Sequence, residues 1–366
     1  MMGTLMTTPD AKNDSNSTLE PSAAEPAMAT RRRILVGAGL MASAVASAQA
    51  AGVAFDSAPK TVNGGDMPVP PPEKTAGPIR AGRGSHLAGK VAVVTGGARA
   101  IGRAIALEFA ANGADVVIID IAGYVSPASD AAPANPGDLA ETVRQVREFG
   151  RRSEGIQADI RQISQLRAAA DRIVKDYGKI DIVVADAAIQ RWMPLLQMQD
   201  SDWNDVIDNN LNGTANTIRA FAPKMVERNK GRIIVLSSMQ GKHGTKDGAS
   251  YSASKWGIIG LMKSAALELG EYNITVNAVI PGLVDTPLTR YQKRLHESMA
   301  ENGHTPPDKP TPQQAWDERK NTVPLKVGWL QPEDIAPVAV FLASDAAAMV
   351  TGAEYEVTGG DSAKDI

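Results

Sequence analysis

Lys90-Val91-Ala92-Val93-Val94-Thr95-Gly96-Gly97-Ala98-Arg99-Ala100-Ile101-Gly102 is an apolar run that breaks into glycines, and residues 103–112 continue it with apolar side chains at helical spacing. Strand, glycine turn, helix is the order that aims backbone N–H groups and a helix N-terminus at a pyrophosphate. The next apolar run, 114–119, ends in Asp120, about twenty residues past the turn, where a carboxylate accepts from a ribose 2′-hydroxyl. Together they predict a dinucleotide site on an α/β fold.

Runs 180–185, 232–237, 275–280 and 354–357 read as later strands alternating with helical segments. Near-continuous Val/Ile runs are strands buried on both faces, hence a single Rossmann-type doubly wound parallel sheet with helices on both faces. Ligands of such sheets bind outside the carboxyl ends of the strands. The glycine turn, Asp120, Asp159, Asp186, Ser238 and the loop 281–286 all follow strand ends, which places them on one rim.

Tyr251-Ser252-Ala253-Ser254-Lys255 carries the second signal. A Tyr and a Lys four residues apart on a helix share a face, so the ammonium is expected near the phenol, lowering its pKa electrostatically. Tyr251 then reads as an acid/base near neutral pH. Alone the pair is weak, because that spacing occurs by chance on solvated helices. Ser238, thirteen residues upstream at the end of an apolar run, and Asn210 join it.

In this order and spacing the residues resemble the short-chain dehydrogenase/reductase family over about residues 87–360. The family's Thr-Gly-x-x-x-Gly-x-Gly turn matches at Thr95, Gly96 and Gly102. The resemblance implies hydride transfer between a secondary alcohol and a ketone. Tyr251 would exchange the proton and Ser238 would hold the substrate oxygen. Lys255 would bind the nicotinamide ribose and stabilise a tyrosinate, and Asn210 would support a water relaying protons to Lys255. The nucleotide would lie on Gly96, Arg99, Ile101 and Gly102 of the turn and on Asp120. Asp159 and Ile160 would serve the adenine side, Asp186 and Ala187 the fourth strand. Pro281, Gly282, Val284 and Thr286 would seat the carboxamide. Seen singly, Ser238 reads as a strand-end hydroxyl capping a turn and Asn210 as a helix-interior amide.

Two positions depart from the family pattern. Ala100 puts a methyl where the pattern has Gly, which predicts a shifted phosphate contact rather than lost binding. Residues 185–188 are Ala-Asp-Ala-Ala where the family shows Asn-Asn-Ala-Gly. An ionised Asp186 only accepts hydrogen bonds, whereas an amide also donates. For cofactor choice, Asp120 opposes a 2′-phosphate while Arg99 attracts one; at close range the carboxylate favours NAD. Arg99 otherwise reads as a solvated loop residue.

The 366 residues, with 43% hydrophobic content and a net charge of −3, suit one large domain plus extensions. No basic stripe points to nucleic acid. No apolar run reaches the roughly 18–20 residues of a spanning helix. The four histidines, His86, His243, His296 and His304, are scattered, there is no cysteine, and no metal spacing is visible. Near the start, Thr30-Arg31-Arg32-Arg33-Ile34-Leu35 opens a weakly apolar run ahead of Ala48-Gln49-Ala50. Residues 1–50 therefore read as a twin-arginine export signal with a small-x-small cleavage site, against a plain basic tail. Residues 51–86, with Pro68, Pro70, Pro71 and Pro72, read as a linker, and 87–362 as the Rossmann domain.

Two segments exceed the commonest family size. Residues 122–139 are inserted after Asp120, and with 326–335 they resemble the carveol-dehydrogenase-like branch, which holds its NAD tightly. Residues 288–322, rich in proline, read either as a substrate lid or as a mobile surface loop. An exported enzyme must retain its nucleotide. An off-rate of roughly 10⁻³ per second with association near 10⁶ M⁻¹s⁻¹ requires an approximately nanomolar Kd. The expectation is thus a tightly held NAD, a small-molecule alcohol or ketone substrate, and a homo-oligomer of tetramer or dimer size. Residues 256–261 would suit such an interface or core packing equally. The competing readings are a nucleotide-bound, non-catalytic sensor or scaffold and an NADP-dependent carbonyl reductase.

Overall fold

The computed structural model describes residues 78–80, 84–301, 303 and 305–364. The export-signal reading, and the linker reading except for a few residues at its end, lie outside them. Seven strands form one sheet: β1 (Val91–Thr95), β2 (Asp115–Asp120), β3 (Ser153–Gln157), β4 (Ile182–Ala185), β5 (Gly231–Leu236), β6 (Ile274–Pro281) and β7 (Glu354–Val357). Their order is β3-β2-β1-β4-β5-β6-β7, with every pairing parallel. Strand boundaries differ from the sequence expectation by two residues at most, as at β4, which begins at Ile182 rather than at residue 180.

Parallel pairing explains the β-branched runs. In β1, Val91 and Val93 enter one apolar core while Ala92 and Val94 enter the other, and the one polar residue, Thr95 at its end, donates to the Val184 carbonyl. The helices α1 (Ala100–Ala111), α2 (Pro136–Glu148) and α9 (Pro332–Ala343) cover the first face through Ile105, Phe109, Val143 and Ile335. The helices α3 (Ile163–Tyr177), α5 (Gly213–Val226) and α6 (Ala249–Leu269) cover the second through Leu166, Ile173, Phe221 and Ile258. Strand order reverses between β1 and β4, which opens a crevice beyond their carboxyl ends.

Three local features shape that crevice. The chain between β2 and α2 is loop until Asn135, whose side chain accepts from the Gly137 and Asp138 amides while Asp138 accepts from the Asn135 amide. This capping box, with Pro136 at the first helical position, starts α2 sharply. Between α4 (Asp200–Ile207) and α5, residues Asp208–Asn212 form a π-helical turn, which displaces Asn210 from regular helix spacing. Residues 288–322 carry α7 (Gln292–Ala300) and α8 (Pro312–Thr322). Leu283, Leu295, Met299, Ala315, Trp316 and Trp329 close a small core of their own there, the two indoles meeting edge to face at 6.0 Å.

Candidate active site

The β1–α1 turn is built by glycines that nothing else replaces. Gly96 adopts φ +70°, and a Cβ there would lie 2.7 Å from the Ala187 backbone. A Cβ on Gly102 would lie 2.4 Å from the Gly96 carbonyl and 2.8 Å from the Asp186 carboxylate. The turn therefore touches the end of β4 directly. Ala100 is left-handed at φ +52°, a conformation costly for an L side chain. Replacing it with glycine should raise stability by about 0.5–1 kcal/mol, the relieved strain exceeding the added unfolded-chain entropy. Thermal unfolding of Ala100→Gly measures this, and an unchanged or lower Tm would contradict it.

Asp120 closes β2 with its carboxylate accepting from the Ala98 amide at 3.1 Å and the Ala122 amide at 2.9 Å. Burial raises its pKa, and these amides and the Arg99 charge pull it back. Arg99 is not solvated: its guanidinium donates to the Ala132 carbonyl in the segment after Asp120, and burial lowers its pKa. The solvated-loop expectation fails because that segment folds back over the glycine turn. Arg103 and Thr142 strengthen the tie. Arg103 donates to Thr142 Oγ1 at 2.8 Å, and Thr142 donates to the Ala98 carbonyl at 2.9 Å. Sequence reasoning missed both residues, since an Arg inside a helix gives no hint of a partner 39 positions away.

A cleft with about 950 Å³ of empty space, counting its open mouth, follows from this packing. Gly96, Arg99, Ile101, Asp120, Asp159, Ile160, Asp186, Ala187 and Thr286 line it, as the sequence predicted. Val125, Ser129, Ala131, Pro133 and Ala134 add a wall from the inserted segment. Asp159 is not idle there, because Arg161 grips both its oxygens, the closest contact being 2.7 Å. Pro281, Gly282 and Val284 are pinned beneath instead: Gly282 donates to Val357, and Val284 bridges Leu330. Thr286 reaches the cleft because Thr289 caps the turn, accepting from its amide at 3.0 Å.

Across the cleft, the Asp186 carboxylate accepts from the Gly102 amide, so at this position the fold uses the acceptor alone. Burial raises the Asp186 pKa, with the Lys255 charge opposing and the Asp120 charge assisting. Lys255 is buried, donates to the Leu236 carbonyl at 2.8 Å, and has its pKa lowered by desolvation against the pull of Asp186. Its Nζ lies 5.5 Å from the Tyr251 ring centroid. Tyr251 itself is pushed up to about 12 by burial, and the groups pulling it down are Ser238 and Arg294. The expected lowering by Lys255 is thus corrected, because the ammonium is directed at a carbonyl and desolvation prevails.

Ser238 Oγ accepts from the Gln240 amide at 3.2 Å, capping a turn, and the hydroxyl also hydrogen-bonds with the Tyr251 phenol. Asn210, wholly buried, accepts from the Ile189 amide at 2.8 Å and donates to the Ile189 carbonyl at 2.9 Å and to Ser254 at 3.0 Å. It clamps the chain beyond β4 to the helix bearing Tyr251. Among the described residues no cluster of His, Cys, Asp or Glu could hold a metal. Likewise, no helix among them is long and apolar enough to cross a membrane.

The short chain dehydrogenase profile matches residues 90–296, which hold β1 to β6, the glycine turn and all four candidate catalytic residues. The chain belongs to the short chain dehydrogenase family. An uncharacterized NAD-dependent oxidoreductase of Mycobacterium tuberculosis is 37% identical over 279 residues, covering 76% of this chain and 98% of that protein. The (−)-trans-carveol dehydrogenase of Rhodococcus erythropolis is 34% identical over 286 residues, covering 76% of this chain and all of that one. The crystal structure of carveol dehydrogenase from Mycobacterium avium in complex with NAD superposes with a TM-score of 0.72 at 34% identity, over 76% of this chain and 99% of that one. The glycine turn of this short chain dehydrogenase holds one left-handed alanine, and an acid, Asp186, follows its fourth strand.

Proposed function

We propose that this short chain dehydrogenase is an NAD-dependent oxidoreductase that interconverts a secondary alcohol and a ketone, with Asn210, Ser238, Tyr251 and Lys255 as its working set. One observation carries the reading: the Tyr251 phenol meets the Ser238 hydroxyl, and the buried Lys255 ammonium acts on Asp186, which lines the same cleft as the Asp120 carboxylate. The relatives named above support the cofactor.

The residues fit the nucleotide. The turn through Gly96 and the start of α1 present backbone amides, and a carboxylate faces the cleft where a 2′-phosphate would be repelled. The Arg99 guanidinium donates to the Ala132 carbonyl, and its charge also acts on Asp120, so the preference for NAD rests on the Asp120 carboxylate lining the cleft. When bound, the nicotinamide supplies the hydride acceptor. Once its own proton has left toward solvent, Tyr251 would take the alcohol proton at its phenolate oxygen as the hydride leaves the carbon, and Ser238 would hold the substrate oxygen. Because burial raises the phenol's pKa, proton loss from Tyr251 is uphill, and the Ser238 contact and the Arg294 charge reduce that cost. Lys255 keeps positive charge beneath the site, and Asn210 fixes the distance between Ile189 and α6.

Mass spectrometry of nucleotide released from dialysed protein, followed by NADH fluorescence on adding secondary alcohols, tests the proposal. Bound NAD and alcohol-dependent NADH are expected; NADP instead, or no reduction by any alcohol or ketone pair, would refute it. Asp186 adds a pH signature. Its charge raises the Lys255 pKa. Asp186→Asn removes that pull, so Lys255 should lose its proton at lower pH and the alkaline limb of kcat/KM should move downward. A limb that stays or moves upward would exclude this coupling.

The export reading rests on Arg31, Arg32 and Arg33 and on the fact that the relatives are matched almost end to end by 76% of this chain. The inserted wall over the cleft supports tight retention of NAD. For a homo-oligomer, α6 offers an apolar stripe: Trp256 and Leu267 are 52% and 86% exposed, with Gly260 open between them, while Ile258 and Ile259 pack inward.

A further inference from the structure

Three buried polar donors next to Tyr251 have no hydrogen-bond partner among the described residues: Trp192 Nε1, the Tyr291 hydroxyl and Arg294 Nε. A buried donor left without an acceptor is costly, so three in one place call for an acceptor that arrives with a ligand. Trp192 is fully buried and packs on Gly248, three residues before Tyr251, where an added Cβ would lie 3.1 Å from the indole. Arg294, 4% exposed, stacks on that indole at 4.4 Å. Tyr291 and Arg294 are three residues apart at the start of α7 and so share its face. The charge of Arg294 acts on the Tyr251 phenol and that phenol acts on Tyr291, so the start of α7 stands near the reacting position.

The charge balance says what kind of acceptor. Arg294 is already paired with Glu301 at 3.0 Å, so its terminal nitrogens are used and the pair is neutral. Asp130 is paired with Arg191 at 2.9 Å, and Arg191 also meets Asp202, so an incoming carboxylate would find both nearby guanidiniums already matched by acids. A carbonyl, hydroxyl or ether oxygen would meet the free donors without adding a charge.

We propose that Tyr291 and Arg294 are specificity-determining residues that bind a second, uncharged oxygen of the substrate, so that the preferred substrate is an oxygenated cyclic or bulky alcohol rather than a simple hydrocarbon one. The proposal rests on the alcohol–ketone reading above and names its substrate class. The Trp192 indole backs the Arg294 guanidinium and holds it in place, and the α7 donors select the additional oxygen.

The test compares cyclohexanol with trans-1,2-cyclohexanediol, read as single-turnover NADH fluorescence of the NAD-loaded protein so that nucleotide exchange does not matter. Wild type should show about a tenfold higher kcat/KM for the diol, expressed mainly in KM, consistent with one buried hydrogen bond. Tyr291→Phe, which removes only the hydroxyl, should bring the ratio below about twofold. Arg294→Gln should do the same if it folds, and the Tyr291 variant decides the matter if it does not. A wild type that turns over cyclohexanol without preferring the diol, or a Tyr291→Phe protein that keeps the preference, overturns the inference and leaves the oxidoreductase reading standing. Turnover of neither alcohol, nor of their ketones in reverse, removes both.

Discussion

Tyr251→Phe should lower turnover by about 10²–10⁴-fold, the usual contribution of a positioned acid/base, while bound nucleotide and Tm stay near wild type. The substitution removes one oxygen from a side chain whose ring packs as before. That oxygen is the only one on α6 that meets Ser238 beside the cleft, and no neighbouring hydroxyl on the same face replaces it: Ser254 points back to the Tyr251 carbonyl at 2.7 Å and Ser252 lies within the helix packing. The informative measurement pairs single-turnover NADH formation with nucleotide stoichiometry. A protein that binds NAD and loses turnover supports the catalytic assignment. A protein whose turnover is unchanged would return the molecule to the class of nucleotide-bound sensors or scaffolds.

The second large effect is expected at Gly96→Ala. The methyl would lie 2.7 Å from the Ala187 backbone, and the residue would hold φ +70°. Left-handed backbone costs roughly 1–2 kcal/mol for an L residue and overpacking a further 1–3, so about 3 kcal/mol of stability should be lost. For a domain of this size that corresponds to a Tm lower by roughly 6–12 °C. Nucleotide retention should fail as well, since relieving the clash moves the turn away from β4 and widens the cleft. Differential scanning fluorimetry with and without added NAD separates the two consequences. A variant with wild-type Tm and full nucleotide content would show that the turn does not need its contact with Ala187.

The legible parts of this molecule are those where chain order alone fixes space. A β-branched run followed by glycines forces the β1–α1 turn, and strand ends in a parallel sheet share one edge, so Asp120, Asp159, Asp186 and Ser238 converge whatever their partners. The Tyr251–Lys255 pairing was equally legible from helix spacing. Its electrostatics were not, because which carbonyl an ammonium prefers depends on β5, and Leu236 is nineteen residues from Lys255. Arg99 was misjudged for the same reason: a guanidinium in a loop reads as solvated until the segment carrying Ala132 is seen to fold over it. Tyr291 and Arg294 gave no sequence signal at all. Their importance lies in donors left unpaired, and an unmade bond has no pattern in a sequence.

The tie between Arg99 and Ala132 reaches into kinetics. If the segment after β2 keeps the nucleotide from leaving, the oxidised and reduced forms alternate in place, and a donor and an acceptor must visit one opening in turn. Initial-rate plots at fixed concentrations of the second reactant would then be parallel lines, where the usual ternary-complex scheme gives intersecting ones. A loop that grips the adenosine end would thereby convert a diffusible coenzyme into a built-in relay.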